Sequence, residues 1–185
     1  MKSTMLPFVA SIALAAVTAC AVPARAEVTL NGQATLGTVT RQATLLIRCG
    51  ISRKGAIDGD LTIPGVGPLR GQYDFDSFEG PYAKSSKLLL STIASTGGSA
   101  TFTASGSIPV NPSDAFRFGV MPGSQGAGKA EAMTRVLRPV ATSGGILTWT
   151  QANPVRGGAP LQATFEVTAS ALSRVAAELA PCVGK

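Results

Sequence analysis

The residues best suited to chemistry in this 185-residue chain are concentrated in the segment Tyr73–Tyr82, which reads YDFDSFEGPY. It holds three carboxylates, Asp74, Asp76 and Glu79, among four aromatic residues. Carboxylate oxygens on a loop can coordinate calcium, although the spacing here lacks the glycine and glutamate positions of an EF-hand loop. Two carboxylates beside aromatic rings are also the ingredients of glycan binding or hydrolysis, where one acid donates a proton and the other assists.

The same segment has a purely structural interpretation. Its aromatic and acidic residues alternate at the start, as they do in a strand with one buried face and one face in water. Aromatic rings contribute large apolar areas to a core, so packing alone would account for them. Two roles therefore stay open for one set of residues: packing in the core, or contact with a ligand or partner. These residues are Tyr73, Asp74, Asp76, Phe78, Glu79 and Tyr82.

Other catalytic arrangements are excluded or incomplete. The chain has no histidine, which excludes Ser-His-Asp and Cys-His catalysis and histidine-built zinc sites. The segment Gly123–Lys129, GSQGAGK, has the spacing of a phosphate-binding P-loop, but Ala130 replaces the hydroxyl residue that reaches magnesium. The segment Gly65–Gly71 matches G-x-G-x-x-G, but Pro68 lacks an amide donor. We expect both segments to be loops or turns, and the protein to be non-enzymatic, without a metal or cofactor unless calcium binds.

The first 26 residues are typical of a secretory signal peptide. A basic residue is followed by the apolar stretch Met5–Val22 and by the small-x-small site Ala24–Ala26, which places Glu27 first in the mature protein. This predicts a periplasmic or secreted protein of Gram-negative-type export, with no membrane span after signal removal. The segment Val17–Cys20 resembles the lipobox of bacterial lipoproteins, and that resemblance implies a lipidated Cys20 and a membrane anchor as the alternative.

The cysteines predict a disulfide, and the charged residues bear on the kind of partner. Cys49 and Cys182 are 133 residues apart, and in an oxidising compartment such an isolated pair predicts a disulfide between the C-terminus and an early strand. Charged residues make up 14% of the chain, against roughly 25% in typical soluble domains. The net charge of +6 comes from scattered residues without a basic block, so we predict no nucleic-acid binding.

The order of short apolar runs predicts the fold. Glycine and proline separate β-rich runs over residues 34–40, 43–49, 61–64, 71–75, 87–94, 100–108, 115–121, 135–142, 145–150 and 162–168, with turns expected at 41–42, 58–59 and 97–98. Such spacing predicts one mainly β domain over residues 27–185, an antiparallel β-sandwich or barrel. The alternation around Trp149 places this residue in the core.

Two regions favour helix. Ser170 can cap a C-terminal segment that Pro181 would end, because one apolar stripe recurs there at helical spacing through Leu172, Val175, Ala176 and Leu179. We therefore expect a short C-terminal helix that is held by the disulfide. Residues 129–136 also allow a weaker helical turn, ending before Pro139.

These observations favour a non-enzymatic exported domain, monomeric, that binds an envelope protein or a small ligand. Two alternatives stay open. In composition the chain resembles pilins of the chaperone–usher type, which implies a structural assembly subunit, although those proteins pair cysteines over a few tens of residues. The other alternative is a glycan hydrolase that uses Asp74, Asp76 or Glu79.

Overall fold

Eight antiparallel strands close into a barrel in the computed structural model, which describes residues 26–50, 56–79, 89–109 and 114–184. The strands are β1 (Ala26–Leu36), β2 (Val39–Cys49), β3 (Ile57–Ile63), β4 (Leu90–Ser95), β5 (Gly98–Ser107), β6 (Phe116–Val120), β7 (Gly145–Gln151) and β8 (Leu161–Val167). Their order around the barrel is β1-β2-β3-β6-β5-β4-β7-β8, and β8 pairs with β1. The helices of the described residues are α1 (Ala127–Ser143) and α2 (Ala169–Val183). The mainly β prediction is confirmed in its barrel form, with a C-terminal helix.

Alternating side chains explain why these strands form a barrel with a core. Along the strands, alternate residues face inward and most of these are buried, while the residues between them face out. One inward residue from each strand, in chain order, is Leu30, Leu45, Leu61, Ile93, Phe102, Phe118, Trp149 and Phe165. These side chains belong to a single hydrophobic core. Trp149 is fully buried, which confirms the prediction made for it.

The two helices cover one end of the barrel. Helix α1 packs against β4, β5 and β7, while α2 packs against β1, β2 and β8, and the helices contact each other. The predicted disulfide is present: Cys49 ends β2 and Cys182 lies in the last turn of α2. Arg138 of α1 donates hydrogen bonds to the Val183 carbonyl, the closer at 2.9 Å. The C-terminus of α2 is thus held to both the barrel and α1.

The prediction of a strand over residues 135–142 was wrong, as was the expected break before Pro139. Helix α1 runs through both. Its buried residues recur at helical spacing, and their contact with the barrel end outweighs local β-propensity. Pro139 is accommodated where the β4–β5 turn comes close: a Cβ built on Gly97 would lie 2.7 Å from the Pro139 Cγ and 2.4 Å from the Arg135 carbonyl oxygen. Proline at 139 removes the backbone bond that this carbonyl would otherwise accept.

The predicted bounds of α2 also need correction. Thr168, not Ser170, is the residue at the N-cap, and Pro181 lies within the last turn instead of ending the helix. Helix α2 continues because Cys182 and Val183 are buried on the barrel side. Tertiary contacts therefore extend the helix beyond the proline.

Three β predictions were wrong in position. Residues 71–75 form turns and extended chain instead of a strand. Asp58 and Gly59 lie inside β3, where Gly59 leaves room for the Trp149 ring, 3.4 Å from its Cβ position. The first hairpin turns at 37–38 and not at 41–42, because Gly37 supplies the positive φ of 58° that the tight turn requires. The turn predicted at 97–98 is present one residue earlier, at 96–97.

The opposite end of the barrel is closed by residues 66–79, which we call the plug. Two 3-10 turns, Gly67–Leu69 and Asp76–Phe78, fold this segment over the barrel. Its aromatic rings pack against two rings from β6: Phe75 lies 4.9 Å from Phe116 in a tilted arrangement, and Phe78 lies 5.1 Å from Phe118 edge-on, between centroids. Both ends of the barrel are therefore covered by packed side chains.

Two inward-facing glycines provide a matched test of the plug. A Cβ on Gly106 of β5 would lie 2.5 Å from both the Phe78 Cβ and the Phe116 Cζ, whereas one on Gly59 of β3 meets its neighbours at 3.4 Å. We expect Gly106→Ala to lower the free energy of unfolding by about 1–3 kcal/mol, through overpacking. Gly59→Ala should change it by less than about 1 kcal/mol. Urea denaturation measures both, and equal losses would contradict the close packing at Gly106.

Candidate functional site

The aromatic part of the predicted site forms core, not an exposed platform. Tyr73, Phe75 and Phe78 are each only 1% exposed. The Tyr73 hydroxyl donates a 2.8 Å hydrogen bond to the Ala152 carbonyl, in the loop after β7. Burial raises the pKa of Tyr73 well above its ordinary value, which the side-chain hydrogen bond with Gln151 only partly offsets. The packing interpretation holds for these three rings.

Asp74 has a local structural role. One oxygen of its carboxylate accepts a 3.1 Å hydrogen bond from the Ser77 amide, and the other accepts one from the Ser77 hydroxyl. This pattern caps the 3-10 turn Asp76–Phe78, as short acidic side chains commonly do at turns. Asp74 therefore helps to fold the plug over the barrel.

Asp76 is the accessible acid of the segment. Its side chain is 70% exposed and pairs with Arg70 across 3.0 Å. Glu79 is half-buried, and its backbone amide donates to the Asp76 carbonyl at the end of the turn. Tyr82 and Cys20, the remaining residues of the prediction, lie outside the described residues.

An open cleft lies over the plug, and we call it the plug cleft. Its volume is about 290 Å³, and its lining residues are Arg70, Gly71, Tyr73, Asp74, Phe75, Asp76 and Val155. Val155 comes from the loop between β7 and β8 and is 48% exposed, so it gives the cleft an apolar rim. The cleft thus combines an accessible ion pair with an apolar edge.

The sequence did not point to Arg70 or Val155. Arg70 precedes the alternating segment, and its position depends on the turn between the two 3-10 turns. Val155 is about 80 residues further along the chain. The only local signal in the sequence was that Arg70 is a basic residue six positions before Asp76. No comparable signal pointed to Val155.

The second acidic motif, Asp58 and Asp60, lies elsewhere. Both acids are on the outer surface of β3, where Asp60 forms an ion pair with Arg48 of β2. Desolvation raises the pKa of Asp58, and the charge of Arg48 works in the opposite direction. In the described part of the chain, no group of three or more acidic or cysteine side chains is placed to hold a metal ion. The calcium alternative gains no support from these acids.

The glycine-rich segment Gly123–Lys129 joins β6 to α1 and is not a free loop. It forms a 3-10 turn and the first turn of α1. The Lys129 ammonium donates to the Thr101 carbonyl at 2.6 Å and lies 5.8 Å from the centre of the Phe102 ring. Gln125 bonds both backbone groups of Thr103 at 2.8 Å. The basic and amide groups of this segment thus hold the start of α1 to strand β5.

Comparison with protein-family models, curated proteins and solved structures found no match to this chain. Among the residues that the structure describes, no helix has the length and apolar character needed to cross a membrane.

Proposed function

We propose that this protein is a non-enzymatic exported domain that binds a partner protein through the plug cleft. The observation that carries the proposal is the closure of the barrel at both ends, by the helices and by the plug. Binding modules that take small ligands generally use a concave apolar pocket, such as the mouth of a barrel. Here that mouth is filled with aromatic side chains, so binding falls to the outer surface.

The chemistry of the cleft suits a protein partner. The Arg70–Asp76 pair is exposed, and exposed ion pairs contribute little to stability, so either charge can re-pair with a partner at low cost. Val155 offers an apolar contact beside it. Interfaces between proteins commonly place apolar contacts beside polar and charged groups of this kind.

Export is part of the same proposal. The N-terminal segment has the features of a signal peptide, and a disulfide between distant residues suits an oxidising compartment. Both cysteines are nearly buried, with Cys49 4% and Cys182 6% exposed.

The two alternatives fit the geometry less well. A glycosidase places two carboxylates on either side of the bond to be cleaved. Asp74 instead bonds Ser77, and Asp76 pairs with Arg70. Donor-strand assembly needs an exposed sheet edge that accepts a strand, and in a closed barrel every strand is already paired on both sides.

Photo-cross-linking tests the proposal. The full chain is expressed in a Gram-negative host with a photoreactive residue at Val155, or at Ile146, an equally exposed control on the outer face of β7. We expect a discrete cross-linked species from position 155 that is missing from position 146. Asp76→Arg should abolish it without changing the melting temperature. Identical products from the two positions, or no product from 155, would overturn the plug cleft as the binding site. Release of sugars from polysaccharides that Asp76→Asn abolishes would instead support the hydrolase.

A further inference from the structure

The outer surface of six consecutive strands carries two rows of uncharged side chains in register. Strand order across the surface is β5-β4-β7-β8-β1-β2. The first row, joined by direct cross-strand pairing, is Thr101, Thr92, Thr150, Gln162, Thr35 and Thr40. The second, paired in the same way, is Ser99, Ala94, Thr148, Thr164, Gln33 and Gln42. We call these two rows the hydroxyl–amide face.

Strand geometry makes this face a regular array. Neighbouring strands lie 4.7–4.9 Å apart, so each row extends over roughly 24 Å along the curved surface. The rows are two residues apart along each strand, about 7 Å. Outward positions of the array are half-buried or exposed, so their polar groups are accessible. A ligand that spans several strands would meet hydroxyl or amide groups at constant intervals, except at Ala94 in the second row.

None of the twelve residues in the two rows is charged, although the chain carries a net charge of +6; Lys129 borders the first row, where it donates a hydrogen bond to the Thr101 carbonyl. The outer surfaces of β3 and β6 hold Asp58, Asp60 and Arg117. On β8 and β1 the outward charges, Glu166 and Glu27, lie beyond the two rows, toward the helix-covered end. The charged groups of the barrel surface therefore lie beside the two rows and not within them. A neutral surface of this extent is complementary to a neutral ligand.

The hydroxyl groups are also held in place. Thr92 and Thr101 share a 2.9 Å side-chain hydrogen bond, and Thr35 and Thr40 share one of 3.2 Å. Threonine is β-branched and has few χ1 choices, so little conformational freedom remains to be lost on binding. Each hydroxyl can donate and accept a hydrogen bond.

We propose that the hydroxyl–amide face binds a neutral polysaccharide. Such a polymer presents uncharged hydroxyl groups at regular intervals, which match donors and acceptors arranged in the same way. The face has no arginine among its two rows, and arginine is one of the residues that usually anchor a protein partner. Single contacts of this kind are weak, so affinity would come from many repeats along one polymer. This surface is separate from the plug cleft, and the inference does not depend on the proposed function.

Affinity electrophoresis of the full chain, purified after export, tests this inference. The native gels contain amylose, dextran or hydroxyethylcellulose, all neutral glucans. We expect at least one of them to retard the protein, with retardation unchanged at high salt because no ion pairs are involved. Amylose fragments of increasing length should compete increasingly well for the protein.

Valine substitutions supply the variant and its control. Valine keeps the shape and β-propensity of threonine but removes the hydroxyl. The triple variant Thr92→Val, Thr150→Val and Thr164→Val should bind about tenfold more weakly or worse. The control variant Thr62→Val lies on the charged outer surface of β3. Its affinity for the glucan should stay within about twofold of that of the wild type. Circular dichroism confirms that both variants fold.

Several results would overturn the proposal: no retardation by any of the three glucans, equal loss in Thr62→Val, or binding that high salt abolishes. Asp76→Arg should bind glucans like the wild type. That variant distinguishes failure at the plug cleft from failure at the hydroxyl–amide face.

Discussion

Replacing Cys49 and Cys182 together with alanine is expected to lower the free energy of unfolding by about 5 kcal/mol. The cross-link closes a loop of 133 residues, and long loops restrict the unfolded chain most. Because whole domains are commonly stable by only about 5–15 kcal/mol, this loss is large enough to unfold part of the population in the absence of denaturant. Urea denaturation followed by circular dichroism gives the free energy.

Reduced wild-type protein is the matched control, since it keeps both sulfur atoms. It should unfold at the urea concentration that unfolds the double alanine variant. Reduction of the folded protein should need denaturant, because both cysteines are nearly buried. A variant that unfolds at the same urea concentration as the oxidised wild type would contradict the stabilising role of the cross-link.

Replacing Phe78 with alanine is expected to lower the free energy of unfolding by about 3–5 kcal/mol. The Phe78 ring packs edge-on against Phe118 and stacks on Tyr73, with centroid distances of 5.1 and 6.0 Å. Its removal leaves a cavity beneath the plug, and such cavities add to the lost burial of the side chain. The near-ultraviolet circular dichroism of the plug aromatics should weaken in parallel.

The control for this variant lies in the same 3-10 turn. Asp76→Ala changes an exposed side chain whose ion pair is solvated, so its effect should be about 1 kcal/mol or less. Phe78→Leu should lower the free energy of unfolding by an amount between those of the two variants. Equal effects of Phe78→Ala and Asp76→Ala would mean that the plug does not stabilise the barrel.

The strands were predictable because their side chains alternate, and this alternation follows from burial of one face. The same pattern allows either a β-sandwich or a closed barrel, and it does not decide between them. The choice depends on the pairing of β1 with β8, between residues about 130 apart, which leaves no local signal.

Failures occurred where tertiary contact overrides local propensity. The run Arg135–Thr142 combines arginine, valine and threonine around a proline, which suggests a strand by composition, yet its apolar residues meet the barrel end at helical spacing. In the candidate site, the burial of Tyr73 and Phe75 was predictable from alternation, although the strand predicted over residues 71–75 was wrong. Their partners Phe116 and Phe118, and the neighbouring Val155, come from distant parts of the chain.

Pairing of the first strand with the last has a consequence for the order of folding. The hairpin of β1 and β2 can form as soon as both strands have been made, but the barrel cannot close until β8 has been made. Cys182 lies later still, in α2. Both edges of the growing sheet therefore stay open until nearly the whole chain is available, and folding should be slow because its decisive contacts join distant residues.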